Sequence, residues 1–249
     1  LVDRGYKDIT LLGQNVNSYG KKLNREFDFA DLLRLLCTVK GDYVIHFISS
    51  HPRDFTKKVI DVIRDNPQIS RQIHLPVQAG NDRILKEMNR HYTIEQYMDI
   101  INYAKEQIPG VTFSTDIIVG FPGETFEEYL DTERLVKEVR FTQIFNYIYS
   151  KRNGTRAAKM EDNITHEEKA RWLNRLIAIQ RDITFDYLNE YVGKTERALV
   201  EEKNGDMYTA RLQNTFVVKF ICKNDHTDEF VNLKITGKRG TTLIADIIE

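Results

Sequence analysis

Apolar and polar residues alternate along five short stretches up to Ser150, and longer helical periods separate them. The stretches are Ile9 to Asn15, Tyr43 to Ser50, Ile73 to Gln78, Val111 to Val119 and Gln143 to Ser150. A period of two predicts strands. Apolar positions at helical spacing predict helices over Asp28 to Val39, Thr56 to Asp65, Asn81 to Met88 with Thr93 to Ile108, and Thr125 to Val139. Thr93 with Gln96 and Thr125 with Glu128 have the spacing of capping boxes, and Pro109-Gly110 stops the helix before it. Strands alternating with helices predict a parallel sheet with helices outside.

The two phases of each strand differ in character. Ile9 and Leu11, Tyr43, Ile45 and Phe47, and Ile73, Leu75 and Val77 make one phase. The other carries Thr10 and Gln14, His46 and Ser50, His74 and Gln78, Thr112, Ser114 and Asp116, and Asn146. A closed eight-stranded barrel is filled with branched apolar side chains. Polar groups converging from several strands predict a wider interior that holds a polar ligand or water, because unpaired buried polar groups are costly. Each of them taken singly also fits a satisfied core residue. Asp116 stands apart, as a carboxylate at the end of a strand otherwise built of Val, Ile, Phe, Thr and Ser. Gly120-Phe121-Pro122-Gly123 follows it and lets backbone amides approach a ligand. Sites in α/β folds sit at that end of the strands. Asp116 is therefore the candidate catalytic residue, with a structural partner such as His74 as the alternative. Gln14 to Asn17, Ser49 to Asp54 and Gln78 to Asn81 would share the same rim; His51 to Asp54 reads equally as a proline turn with a cap. Arg90 reads as a clamp for a carboxylate or phosphate, or as half of an ion pair.

Beyond Ser150 the pattern shifts. Lys151 to Lys159 is a basic loop, either solvated surface or a phosphate contact through Lys151, Arg152 and Arg156. Thr165 with Glu168 caps a long helix to about Tyr191. From Lys194 onward short strands predict a small all-β barrel, OB-like, with equal numbers of acidic and basic residues. Arg211, Lys219, Lys234, Lys238 and Arg239 are its candidate RNA contacts, able to form one basic face beside Tyr208 and Phe216, with a generic protein-contact module as the alternative. The organisation is thus residues 1–160, a connecting helix over 161–192, and the small barrel over 193–249.

The chain has 249 residues, enough for one large and one small domain, and a net charge of −1. There is no global basic signature, so any nucleic-acid contact must come from a local patch. No apolar run is long enough to span a membrane, and no signal peptide is apparent. Cys37 and Cys222, far apart in sequence, read as free thiols of a cytoplasmic protein. The opening LVDRG reads as a helix end closed by Gly5, and the sequence as a fragment.

LLGQNVNSYG, HPRDF, HLPVQAGNDRILKEMNRHYT, TDIIVGFPGET and YIYSKRNGTRAA, in that order, resemble the MiaB-type methylthiotransferases of the radical S-adenosylmethionine superfamily. The segment after them is similar to the TRAM domain of those enzymes. The resemblance implies a partial, open (β/α) TIM-like barrel holding strands two to six. It implies S-adenosylmethionine as cofactor and two four-iron–four-sulfur clusters in the intact enzyme, with no metal ligands in this fragment, because each cluster needs three protein thiolates. It further implies a tRNA partner bound at the anticodon stem-loop, an electron donor, and a methylthio group added to C2 of isopentenyl-adenosine. The fragment alone is expected to be inactive. Gln14 and Asn15 fall where members contact the methionine part of S-adenosylmethionine, and Val119, Gly120 and Phe121 where backbone groups contact its adenine. Ser50, Gln78 and Asp116 complete the implied cofactor set. Asn15 and Asn17 favour the tRNA branch over the sister enzyme acting on a ribosomal protein. The same motifs leave room for an enzyme acting on threonylcarbamoyl-adenosine tRNA, or for a non-catalytic RNA-binding protein on the same scaffold.

Overall fold

The computed structural model describes residues 1–21 and 26–248. β1 (Asp8–Leu11) pairs in parallel with β2 (Val44–Phe47). β3 (Gln72–His74), β4 (Thr112–Val119) and β5 (Gln143–Ile148) form a second parallel group in that order. Helices α1 (Phe29–Leu36), α2 (Lys57–Asp65), α3 (Asp82–Glu87), α4 (Ile94–Gln107) and α5 (Phe126–Val139) make the crossovers. The two strand groups are joined by a single bridge between Ile45 and Ile69. Two of the strands are shorter than their alternation predicts. β1 ends at Leu11 because Asn15 already opens a helical turn over Val16–Ser18. β3 ends before Pro76, which lacks an N–H for the ladder, and Gln78 rejoins β4 opposite Ile117 with φ at 74°.

The capping boxes read from the sequence are closed by both hydrogen bonds, at Thr93–Gln96, Thr125–Glu128 and Thr165–Glu168. Ile45, Phe47, Ile73, Leu75, Val77, Phe113, Ile117 and Val119 are buried in one apolar core with the inner faces of the helices. Each such side chain contributes roughly 1.5–3 kcal/mol. A one-residue slip would put every one of them in the polar phase, which holds the register.

The last helix, α6 (His166–Tyr191), spans two cores: Trp172, Leu176 and Ile183 pack in the first and Leu188 in the second. Five strands follow: β6 (Thr195–Asn204), β7 (Met207–Leu212), β8 (Val217–Ile221), β9 (Phe230–Arg239) and β10 (Thr242–Ile248). They close into a barrel in the order β10-β8-β7-β6-β9, antiparallel except for the β8–β10 pair. This barrel docks beside the N-terminal ends of β2 and β3. Ser70 Oγ donates to the Gln213 carbonyl at 2.7 Å, and Arg197 pairs with Asp42.

Candidate functional site

Two cavities follow from the polar strand phase. One, of about 870 Å³, opens at the C-terminal ends of β3 to β5 and is lined by Gln78, Arg90, Asp116, Ile118, Phe121 and Tyr147, among others. The second, of about 340 Å³, lies toward the other end and is lined by Asp8, Thr10, His46, His74, Ser114 and Asp116, with Thr215 of the small barrel. Asp116 borders both, so the structure places it between them. Its Oδ1 is 3.7 Å from His74 Nε2, beyond hydrogen-bond distance. His74 Nδ1 instead meets Ser114 Oγ at 3.0 Å. Burial raises the Asp116 carboxyl above the usual range, against the opposing charges of His74 and Arg90. Burial likewise lowers the His74 imidazole, so the ring favours its neutral form. This carboxylate is held by shape rather than by a strong partner, as suits a group that meets a ligand.

The glycine turn after β4 departs from expectation. Gly120 has φ at +69°, and a side chain there would collide with the stem of Lys169. The amides of Gly120 and Phe121 are not open to a ligand: both donate to Glu124 Oε2, at 2.7 and 3.1 Å. The Val119 carbonyl accepts from the Tyr149 amide at 2.9 Å, and the Phe121 carbonyl accepts from the Glu124 amide. These bonds occupy the turn internally. What it offers the cavity is the Phe121 ring, edge-on to Tyr149. Glu124 is the residue that sequence reasoning missed. Burial pushes its carboxyl up to about 7, although two backbone amides oppose the rise. The signal was present as a carboxylate directly after GFPG, where a glycine turn aims its amides inward.

The remaining cofactor candidates divide. Gln14 is exposed and lines neither cavity. Asn15 donates to Asp54 Oδ2 at 2.6 Å, while its own Oδ1 is buried without a partner. Burial would raise the Asp54 carboxyl, but hydrogen bonds from Arg53, Lys21 and Asn15 hold it well below the usual range. Among the described residues Ser50 Oγ and Asn17 Nδ2 are likewise buried and without a partner, as is Tyr149 Oη at the larger cavity. Such groups are uncommon in folded proteins and mark places where water or a ligand can enter.

The basic residues differ in how they are held. Arg152 and Arg156 line the larger cavity, Arg156 at 3.5 Å from Glu87, and Lys151 is exposed beside them. Arg211 is held by Glu201 through two bonds of 2.6 and 3.0 Å and borders a small crevice shared with Asp8. Lys234 donates to the Gly193 carbonyl and Lys238 to that of Phe185, whereas Lys219 and Arg239 are exposed. Tyr208 and Phe216, expected as stacking platforms, are buried; Tyr208 stacks on Phe220 inside the barrel. The alternation in β7 turns Tyr208 inward, where closure of a small barrel needs bulk, whereas Phe216, just before β8, packs against Tyr187 and Tyr191 of α6.

Among the described residues no three His, Cys, Asp or Glu side chains converge as metal ligands. Cys37 and Cys222 are free and belong to different cores. No helix is long and apolar enough to cross a membrane among the described residues.

The Radical SAM superfamily description matches residues 1–136. The tRNA-2-methylthio-N(6)-dimethylallyladenosine synthase of Clostridium perfringens (strain SM101 / Type A) is 47% identical over 253 residues, covering 100% of this chain and 56% of that protein. Its counterpart in Fusobacterium nucleatum is 43% identical, covering 99% of this chain and 58% of that protein. The chain thus spans about half the length of the curated relatives it matches. Among solved structures, coproporphyrinogen III oxidase from Escherichia coli, a radical SAM enzyme, superposes with a TM-score of 0.51 at 19% identity over 73% of this chain and 50% of that one. A parallel half-barrel with its cavity at the C-terminal strand ends, together with these matches, makes the chain a member of the radical SAM superfamily, similar along its whole length to the MiaB-type methylthiotransferases.

Proposed function

We propose that this chain is the cofactor- and tRNA-binding part of a cytoplasmic tRNA methylthiotransferase. The intact enzyme would add a methylthio group to C2 of isopentenyl-adenosine next to the anticodon, using S-adenosylmethionine, two four-iron–four-sulfur clusters and an external electron donor. The observation that carries the reading is similarity to synthases of that name along the whole length of the chain. The residues present fit S-adenosylmethionine: Tyr149 Oη at the larger cavity, and Asn15 Oδ1 and Ser50 Oγ outside its lining, are buried and have no partner among the described residues. When bound, this cofactor supplies the radical chemistry that takes hydrogen from the substrate carbon. The described residues do not fit an iron–sulfur cluster.

The chain's own share is binding, orientation and exclusion of water. Gln78, from the segment after β3, and Asp116, from β4, reach the cavity; Ile118, Phe121 and Tyr147 give it an apolar wall. Such a wall suits a prenylated base, and Arg152 with Lys151 at the rim suits the flanking phosphates. The Greek-key order of the small barrel supports the TRAM-like, OB-like reading. Its RNA contacts would run through exposed Lys219 and Arg239, with Lys234 and Lys238 at its edge.

Equilibrium binding of anticodon stem-loop RNA, with and without the isopentenyl group, tests the reading. The prenylated RNA should bind about tenfold more tightly or better, the range expected for filling an apolar pocket. Absence of RNA binding, or equal affinity for the two, would overturn it.

A further inference from the structure

The strands around the two cavities present different chemistry to them. β3 and β4 turn polar groups inward, His74 from the first and Ser114 and Asp116 from the second. β5 turns rings inward. Phe145 lines the smaller cavity, and Tyr147 with Tyr149, the latter just past the strand's end at Ile148, lines the larger. A period of two puts these three rings on one face. Asn146, expected in the inward phase, lines neither cavity and donates to the Ile144 carbonyl at 3.3 Å.

Two of the three rings are already engaged. Phe145 stands edge-on to His74, with ring centroids 5.8 Å apart. Tyr149 stands edge-on to Phe121 at 5.3 Å and carries the Lys169 ammonium over its face at 5.5 Å. Tyr147 differs from both. It lines the cavity and is 52% exposed. Among the described residues its ring meets no other ring and no cation, and its hydroxyl makes no hydrogen bond. Its backbone is nevertheless fixed. Tyr147 is paired with Ile118 in the β4–β5 ladder, and the Tyr149 amide donates to the Val119 carbonyl at 2.9 Å.

A large ring left half in water forgoes the gain of burial until something covers it. Tyrosine is flat and has few rotatable bonds, so little entropy is lost when a partner stacks on it. Unstacked nucleobases are held on aromatic rings in this way. The chain that follows fits the rest of a nucleotide. Directly after β5 come Lys151, Arg152 and Arg156, and both arginines line the same cavity. A ring and cations supplied by one continuous segment match a base with its flanking phosphates.

We infer that Tyr147 is the stacking platform of this cavity for a base of the RNA, the one that carries the isopentenyl group. The inference rests on the proposed function and deepens it, by separating what holds the base from what holds its prenyl chain.

The test compares the full chain with Tyr147→Leu and Tyr147→Phe, each checked for an unchanged melting curve. Substitutions at so exposed a position leave the fold intact. The probes are three anticodon stem-loop RNAs: prenylated, unprenylated, and abasic at the same position. Tyr147→Leu keeps apolar bulk and removes the aromatic face. A platform predicts that this variant binds both base-bearing RNAs about tenfold more weakly, within the range of one stacked base. Its affinity for the abasic RNA is then unchanged, and Tyr147→Phe binds like wild type. If wild type binds the RNAs and Tyr147→Leu binds all three equally well, the platform is wrong while the proposed function stands. An equal loss on all three makes the ring a general support and overturns the platform too. A loss confined to the prenylated RNA assigns the ring to the prenyl chain and likewise overturns it. If wild type binds no RNA, the proposed function fails and the platform with it.

Discussion

The parallel half-barrel and the small C-terminal barrel are built from strands with the same alternation, yet they turn it in opposite directions. In the half-barrel the polar phase, with His46, His74, Ser114 and Asp116, faces the interior, and the apolar phase packs under the helices. In the small barrel Val200, Tyr208, Ala210, Val218, Phe220, Leu233 and Leu243 fill the interior. Small residues such as Ala198, Ala210 and Ala245 alternate there with large ones, as a narrow closed barrel requires. The outcome is physical. Polar side chains facing one another cannot close on a dry core, so the half-barrel keeps two cavities. Apolar side chains facing one another close completely.

The difference can be broken most severely by placing a carboxylate in the small barrel. Val200→Asp puts an unpaired charge at a fully buried position, and the loss should be at least about 3 kcal/mol, of the order of an uncompensated buried charge. Urea unfolding followed by circular dichroism reads it. Wild-type stability in that variant would mean the small barrel holds a polar interior after all.

A comparable effect, dependent on pH, should come from Glu124. Its carboxyl stands at about 7 against an ordinary 4.5. Between those values the folded chain keeps a proton that the unfolded chain has lost, so stability falls as pH rises, by about 3 kcal/mol across the window. Glu124→Gln has no proton to lose and should flatten that part of the profile. Unfolding curves for both proteins at pH 5 and pH 8 decide it; identical pH dependence would show that the turn does not depress the ionised form.

The smallest effect on stability should be at Asp116. At 3.7 Å from His74 and with its carboxyl raised, it gains little from its charge in the fold. Asp116→Asn should change stability by less than about 1 kcal/mol, the scale of a weak, solvent-accessible pair, while weakening S-adenosylmethionine binding. A loss of a few kcal/mol would instead identify a structural ion pair with His74 and remove Asp116 from the site.

Much of this arrangement was legible in the chain. Threonine and glutamate or glutamine at cap spacing marked three helix starts, because the capping box is a local device completed within four residues. The polar phase of His46, His74, Ser114 and Asp116 announced a cavity, because alternation alone decides which side chains share a face. The basic face of the small barrel was misread for a matching reason. Arg211, Tyr208 and Phe216 have the composition of an RNA surface, but the closure of the barrel buries Tyr208, α6 covers Phe216, and Glu201 lies within reach of the Arg211 guanidinium. Composition does not say on which side of a closed sheet a residue falls.

What the sequence by itself determined, then, is whatever depends on near neighbours and periodicity: the order of strands and helices, the caps, the two-phase strands and the glycine turn. Tertiary structure alone decided that Glu124 fills that turn and that Asp116 stands between two cavities, beyond hydrogen-bond distance of His74. These depend on which distant groups approach within a few ångströms, and burial, hydrogen bonding and charge act only at that range.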